Sequence, residues 1–113
     1  MKLINQTRKQ VLLENLKIAD NLLLRFKGLL GTSSLDSNSG LWIIPCNAVH
    51  TFGMRYALDL IFLDRKKKVV KLIKDLKGNR ISPVVGSAHS VIEVPAGFLA
   101  NHCVQLSDEL QFA

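Results

Sequence analysis

The residues best equipped for chemistry lie in one stretch, Pro45-Cys46-Asn47-Ala48-Val49-His50-Thr51-Phe52-Gly53-Met54-Arg55. Cys46, His50 and Met54 stand four residues apart and offer a thiol, an imidazole and a thioether, ligand types suited to copper(I) or zinc. On a helix, four residues rise ~6 Å, so the three side chains would share one face and one ion. On a strand they also share a face, but four residues then span ~13 Å, too far for bonds of ~2 Å to a common ion. Pro45, Val49, Thr51, Phe52 and Gly53 make a poor helix, so the stretch is expected to be extended or bent. A soft-metal site at Cys46, His50 and Met54 therefore stands as an alternative. So does an enzyme using Cys46 or His50, because a thiolate nucleophile needs an imidazole within hydrogen-bond reach and an extended chain holds these two apart.

Extended, the stretch sets Cys46, Ala48, His50, Phe52 and Met54 on one face and Asn47, Val49, Thr51, Gly53 and Arg55 on the other. An adaptable, mostly apolar strip with few polar handles is how ligand pockets are commonly built. Gly53, without a Cβ, lets a backbone or a ligand come close. The leading expectation is a small non-catalytic ligand-binding or accessory module with a pocket around residues 42–59. Trp42, Cys46, His50, Phe52, Met54 and Arg55 would line it, with Asp59 and Arg25 nearby. Two carboxylates interrupt apolar strands: Asp59 between Leu58 and Leu60, and Glu93 between Ile92 and Val94. Each either faces water or needs a partner, and Arg55 and Arg25 are the natural ones. Where an arginine meets the His50 strip, a carboxylate or phosphate ligand becomes reasonable. No cofactor is called for, and the expected partner is a small molecule bearing an anionic group. Cys103 is expected as buried packing.

The elements that must position these groups read as follows. Val11-Leu12-Leu13 and Leu16-Lys17-Ile18-Ala19 around Glu14-Asn15 suggest a short hairpin. Asp20 looks like a helix N-cap. Leu22, Leu23, Phe26, Leu29 and Leu30 form an apolar stripe on a helix of about ten residues that Gly31 would end. Residues 32–40 are a loop. Strands are expected at Leu41 to Ile44, Leu58 to Leu63, Val69 to Ile73 and His89 to Val94. Gly97 to His102 suggests one helical turn. Val104 and Leu106, then Leu110 and Phe112, read as closing strands around Ser107-Asp108-Glu109. Many short strands with one main helix predict an α+β fold: a mostly antiparallel, curled, barrel-like sheet, one main N-terminal helix and a short C-terminal helical turn.

The 113 residues make one domain, 1–113. Their 48% hydrophobic and 21% charged content is ordinary for a globular chain. No apolar run approaches the ~20 residues of a membrane helix. No secretory signal pattern is visible at the start, which points to the cytoplasm and to reduced thiols. The net charge of +6 is spread along the chain, its one dense run being Arg65-Lys66-Lys67-Lys68. That run reads as a solvated hairpin tip, and with no aromatics interleaved, nucleic acid is not an expected partner.

Four pieces together resemble a known family: Arg25-Phe26-Lys27-Gly28-Leu29-Leu30-Gly31, the block from Pro45 to Arg55, Leu58-Asp59-Leu60-Ile61-Phe62-Leu63-Asp64, and Glu93-Val94-Pro95-Ala96-Gly97. The pattern resembles the domain-of-unknown-function family numbered 192, over roughly residues 10–112. The resemblance implies a compact bacterial or archaeal α/β domain with a barrel-like sheet and no established activity. Arg25, Gly28, Phe52, Met54, Asp59, Glu93 and Gly97 fall on its motif positions. Leu24 stands where an acidic residue often precedes the arginine, and Ala57 where proline is common, so a local acidic partner for Arg25 is not implied. Many relatives carry an export signal; none is visible here.

Overall fold

The run Leu58-Asp59-Leu60-Ile61-Phe62-Leu63 is apolar on both faces but for one carboxylate, the mark of a strand covered on both sides. In the computed structural model, which describes residues 1–21, 24–25, 28–29 and 31–113, all six residues are buried. The strands are β1 (Leu3–Asn5), β2 (Gln10–Leu13), β3 (Asn15–Ala19), β4 (Ser39–Ile43), β5 (Leu58–Leu63), β6 (Val69–Leu76), β7 (Ser90–Pro95) and β8 (Leu110–Phe112). A short helix, α1 (Phe98–Asn101), sits between β7 and β8. A five-stranded sheet has the order β3-β4-β7-β5-β6, and a three-stranded sheet the order β2-β1-β8. Among the described residues every strand pairing is antiparallel except β3 with β4.

The larger sheet separates two apolar layers. Trp42, Ile61, Leu63, Ile92 and Val94 face the smaller sheet and meet Leu3, Leu13 and Leu110. Leu41, Ile43, Leu58, Leu60, Phe62 and Val91 face the other way, where loops rather than a sheet cover them, through Leu29, Cys46, Met54 and Tyr56 among others. Topology dictates those loops. Parallel neighbours β3 and β4 need a crossover, and residues 20–38 supply it. The order β4-β7-β5 obliges residues 44–57 to pass β7 on the way from β4 to β5. The crossover and this passing loop carry Arg25 and the Cys46–Met54 stretch to the same sheet face. Gly40, on β4, has no room for a side chain, since a Cβ there would stand 3.0 Å from the Glu93 carbonyl oxygen and 2.7 Å from Leu13 Cδ1.

The fold expected from sequence needs correcting. Among the described residues the molecule is mostly sheet rather than α+β, with two sheets, neither closed into a barrel. Among the described residues α1 is the one helix with defined bounds, and helical backbone before β4 is limited to Leu24 and Arg25, so no main N-terminal helix is described there. Leu22, Leu23, Phe26 and Leu30 of the expected stripe lie outside the described residues. Two further expectations fail because pairing partners are remote. β2 and β3 form no hairpin: β2 pairs with β1, and β3 with β4. Val104 to Leu106 is not a strand. There Asp108 accepts the Gln105 N–H at 3.0 Å and organises a turn.

Candidate functional site

The face of the larger sheet under the two loops holds a cavity of about 60 Å³. Arg25, Gly28 and Leu29 come to it from the crossover; Cys46, Ala48, Val49, His50, Phe52 and Met54 from the passing loop; Ile43 and Glu93 from β4 and β7. All five residues on one face of the extended reading of 46–54 line it. The loop is pinned from behind by residues 77–85. Thr51, fully buried, donates its hydroxyl to Lys77 O at 2.5 Å and accepts the Arg80 N–H at 3.0 Å. Ser82 N–H bonds Val49 O at 2.7 Å, and Val85 N–H bonds Asn47 O at 2.8 Å.

Glu93 is the residue that sequence reasoning left out of the site. In register it lies between Leu41 and Leu60, so its side chain rises among apolar neighbours and is 3% exposed. Among the described residues its Oε1 has no hydrogen-bond partner. The nearest backbone is that of Gly28, where a Cβ would stand 3.5 Å from this oxygen. Burial pushes the Glu93 carboxyl up from 4.5 to about 7. Its position between Ile92 and Val94 was the legible signal, but strand alternation does not say which face is wet.

Arg25 Nε is also buried without a partner among the described residues. Its Nη1 donates to Pro45 O at 3.3 Å, so the guanidinium is anchored to the loop at one end and open at the other. Cys46 donates its S–H to Ala48 O at 3.0 Å. Burial pushes the thiol up, and the Glu93 carboxyl adds to the rise. Such a thiol is a poor nucleophile, and a metal would have to displace its proton. His50 is exposed, stacked on Phe52 with ring centres 5.3 Å apart.

The remaining expected residues lie elsewhere. Trp42 points to the opposite sheet face and stacks on Phe112 at 3.7 Å. Arg55 is exposed, beside Gly31, Thr32, Ser33 and Gly53. Asp59 is 1% exposed, and its carboxylate accepts the Asp75 N–H at 2.8 Å and the Leu99 N–H at 2.9 Å. It fastens β6 and α1 to β5 and does not line the cavity. Cys103, expected inside, is exposed; it and Cys46 are free thiols.

Fold and site together define a small two-sheet domain with a half-covered face that encloses a buried carboxyl and a guanidinium. The chain belongs to the DUF192 family, described as "Uncharacterized ACR, COG1430", which matches residues 3–112. It is similar to a UPF0127 protein of Thermococcus sibiricus, 32% identical over 97% of this chain and 73% of that one. A UPF0127 protein of Thermococcus gammatolerans is 30% identical over 94% and 71%. A crystal structure of a protein of unknown function from Novosphingobium aromaticivorans has the same fold, with a TM-score of 0.83 at 17% identity over 98% of this chain and 82% of that one. No helix among the described residues is long and apolar enough to cross a membrane.

Proposed function

We propose that this is a non-catalytic ligand-binding module whose site is the cavity between Arg25, the Cys46–Met54 loop and Glu93. One observation carries the reading. Two buried polar atoms, Arg25 Nε and Glu93 Oε1, lack partners among the described residues and belong to residues that line the same cavity. A buried polar group without a partner costs roughly 1–3 kcal/mol, a cost that a bound molecule supplying both partners removes. The raised, hydrogen-bonded thiol of Cys46 supports binding over thiol catalysis. At about 60 Å³ the cavity is far below the roughly 300 Å³ at which sites for whole drug-sized ligands begin, so it takes the end group of a small molecule.

The test is a fragment screen followed by amide shifts in NMR, with small carboxylates, phosphate, amides and amines as probes. At least one class should move Cys46, His50, Met54 and Glu93 together. Ala48→Leu, which fills the cavity, should abolish that response while leaving the β5 and β7 spectra in place. If no probe of any charge moves those amides, the reading is wrong.

A further inference from the structure

Resting on that binding reading, we propose that the cavity holds the carboxylate end of a small aliphatic monocarboxylic acid. Arg25 Nε–H donates to one oxygen and the Glu93 carboxyl donates its proton to the other, so that ligand and Glu93 share one proton.

The donor inventory selects this occupant. Arg25 Nε can only donate, so the ligand must bring an acceptor. An ammonium group brings none and meets the guanidinium's like charge. A phosphate dianion asks for more donors than these two atoms offer. A primary amide satisfies both, but its second N–H would then face Ile43, Val49 and Leu29 unpaired, and an orphaned donor is the costlier defect. A carboxylate carries acceptors alone.

Charge then fixes the proton. The titratable or charged groups facing Glu93 among the described residues are Arg25 from the crossover and Cys46 and His50 from the passing loop. Its neighbours on β4 and β5, Leu41 and Leu60, are apolar. Cys46 keeps its proton on Ala48 O. With Glu93 ionised, a bound carboxylate would leave two negative charges against one guanidinium in a water-poor site. With Glu93 protonated, the charges balance. The balance is simple: the ligand enters as its anion, and where Glu93 is ionised one proton from solvent forms its O–H bond, with no other bond made or broken. The position of the Glu93 carboxyl near 7 makes that uptake accessible around neutral pH. Phe52 and Met54 beside the cavity suit an alkyl tail.

Acetate and propionate titrated against the amide shifts of Cys46, Met54 and Glu93 test this. Propionate should bind roughly four-fold tighter than acetate, as expected for one more buried methylene. The dissociation constant should be flat between about pH 5, above which the ligand is its anion, and about pH 7, and rise about tenfold per pH unit above that. Glu93→Gln, whose amide N–H replaces the shared proton, should bind with no pH slope, and Arg25→Gln should lose binding. His50→Gln should keep the slope, since the slope belongs to Glu93 and His50 only lines the same cavity. A measurement without variants is calorimetry in two buffers of different ionisation enthalpy, where binding at about pH 8 should take up close to one proton. A slope that survives in Glu93→Gln, or no proton uptake, overturns the shared proton. Acetamide, methylamine or inorganic phosphate moving these amides while acetate does not would overturn the carboxylate but leave the binding reading standing. Silence from every probe ends both.

Discussion

Glu93 is where the chain accepts a local cost. A carboxyl driven upward by burial holds its proton in the native state at pH values where the unfolded chain has released it. Stability is therefore untouched below the unfolded value of 4.5, falls as the pH rises from there, and levels off above about 7. The span corresponds to about 3 kcal/mol. Glu93→Gln should remove this component. Urea midpoints for the two proteins should run together near pH 4 and diverge up to about pH 8, with the variant more stable at the upper end. Parallel curves would mean that Glu93 is not the group responsible. The sequence exposed the anomaly at this position, an acid in an apolar strand, and suggested Arg25 as a neighbour. It could not show that the two line one cavity without a bond between them among the described residues, because that depends on where the crossover from β3 to β4 brings Arg25. Trp42 was misplaced for the same reason. Alternation put it opposite Leu41 and Ile43, but only the second sheet decides that its side holds Phe112 rather than the cavity.

At the scale of elements, β5 and β6 were legible because their apolar runs and charged turn are local. The turn is built by Asp64 Oδ1, which accepts the Lys66 and Lys68 N–H groups at 2.8 and 3.0 Å. The apparent hairpin at Glu14-Asn15 was misleading, since the same apolar pattern serves two strands that leave for different sheets. The role of Asp59 was hidden too: a carboxylate in a strand reads the same whether it meets a ligand or a backbone. Here it joins three elements by accepting two backbone N–H groups, one from Asp75 at the distorted end of β6 and one from Leu99 in α1. Asp75 has a left-handed backbone, φ 57°, a conformation that costs a non-glycine residue some energy and needs holding. Asp59→Ala would orphan both donors at a site 1% exposed. With each orphan costing roughly 1–3 kcal/mol, the loss should be about 2–6 kcal/mol in urea unfolding. Asp59→Asn, keeping one acceptor oxygen, should lose about half as much. A loss below 1 kcal/mol for Asp59→Ala would show that water replaces the carboxylate at about no cost.

Over the whole molecule, the chain ends close the smaller sheet. β1 lies between β2 and β8, and Lys2 and Ala113 exchange backbone hydrogen bonds at 2.6 and 3.1 Å. Asp108, 4% exposed, locks this closure. It accepts Asn5 Nδ2 at 2.9 Å, Arg8 Nε at 2.8 Å and Gln105 N–H at 3.0 Å. Burial alone would push its carboxyl up, but those donors outweigh burial and hold it below its ordinary 3.8. A depressed acid contributes stability that is present above its unfolded value and lost as the pH falls through the folded one. Asp108→Asn should therefore lower the Tm near neutral pH by on the order of 5–10 °C. The deficit should narrow as the pH is lowered from about 5 towards 3. Because the lock joins β1 to the segment before β8, its loss should appear first at the chain ends. Amide exchange should quicken at Leu110 and Ala113, bonded to Lys67 O and Lys2 O, before it does at Ile61 and Ile92 in the larger sheet. Equal acceleration at all four would mean that the two sheets open as one unit and that the ends have no separate latch.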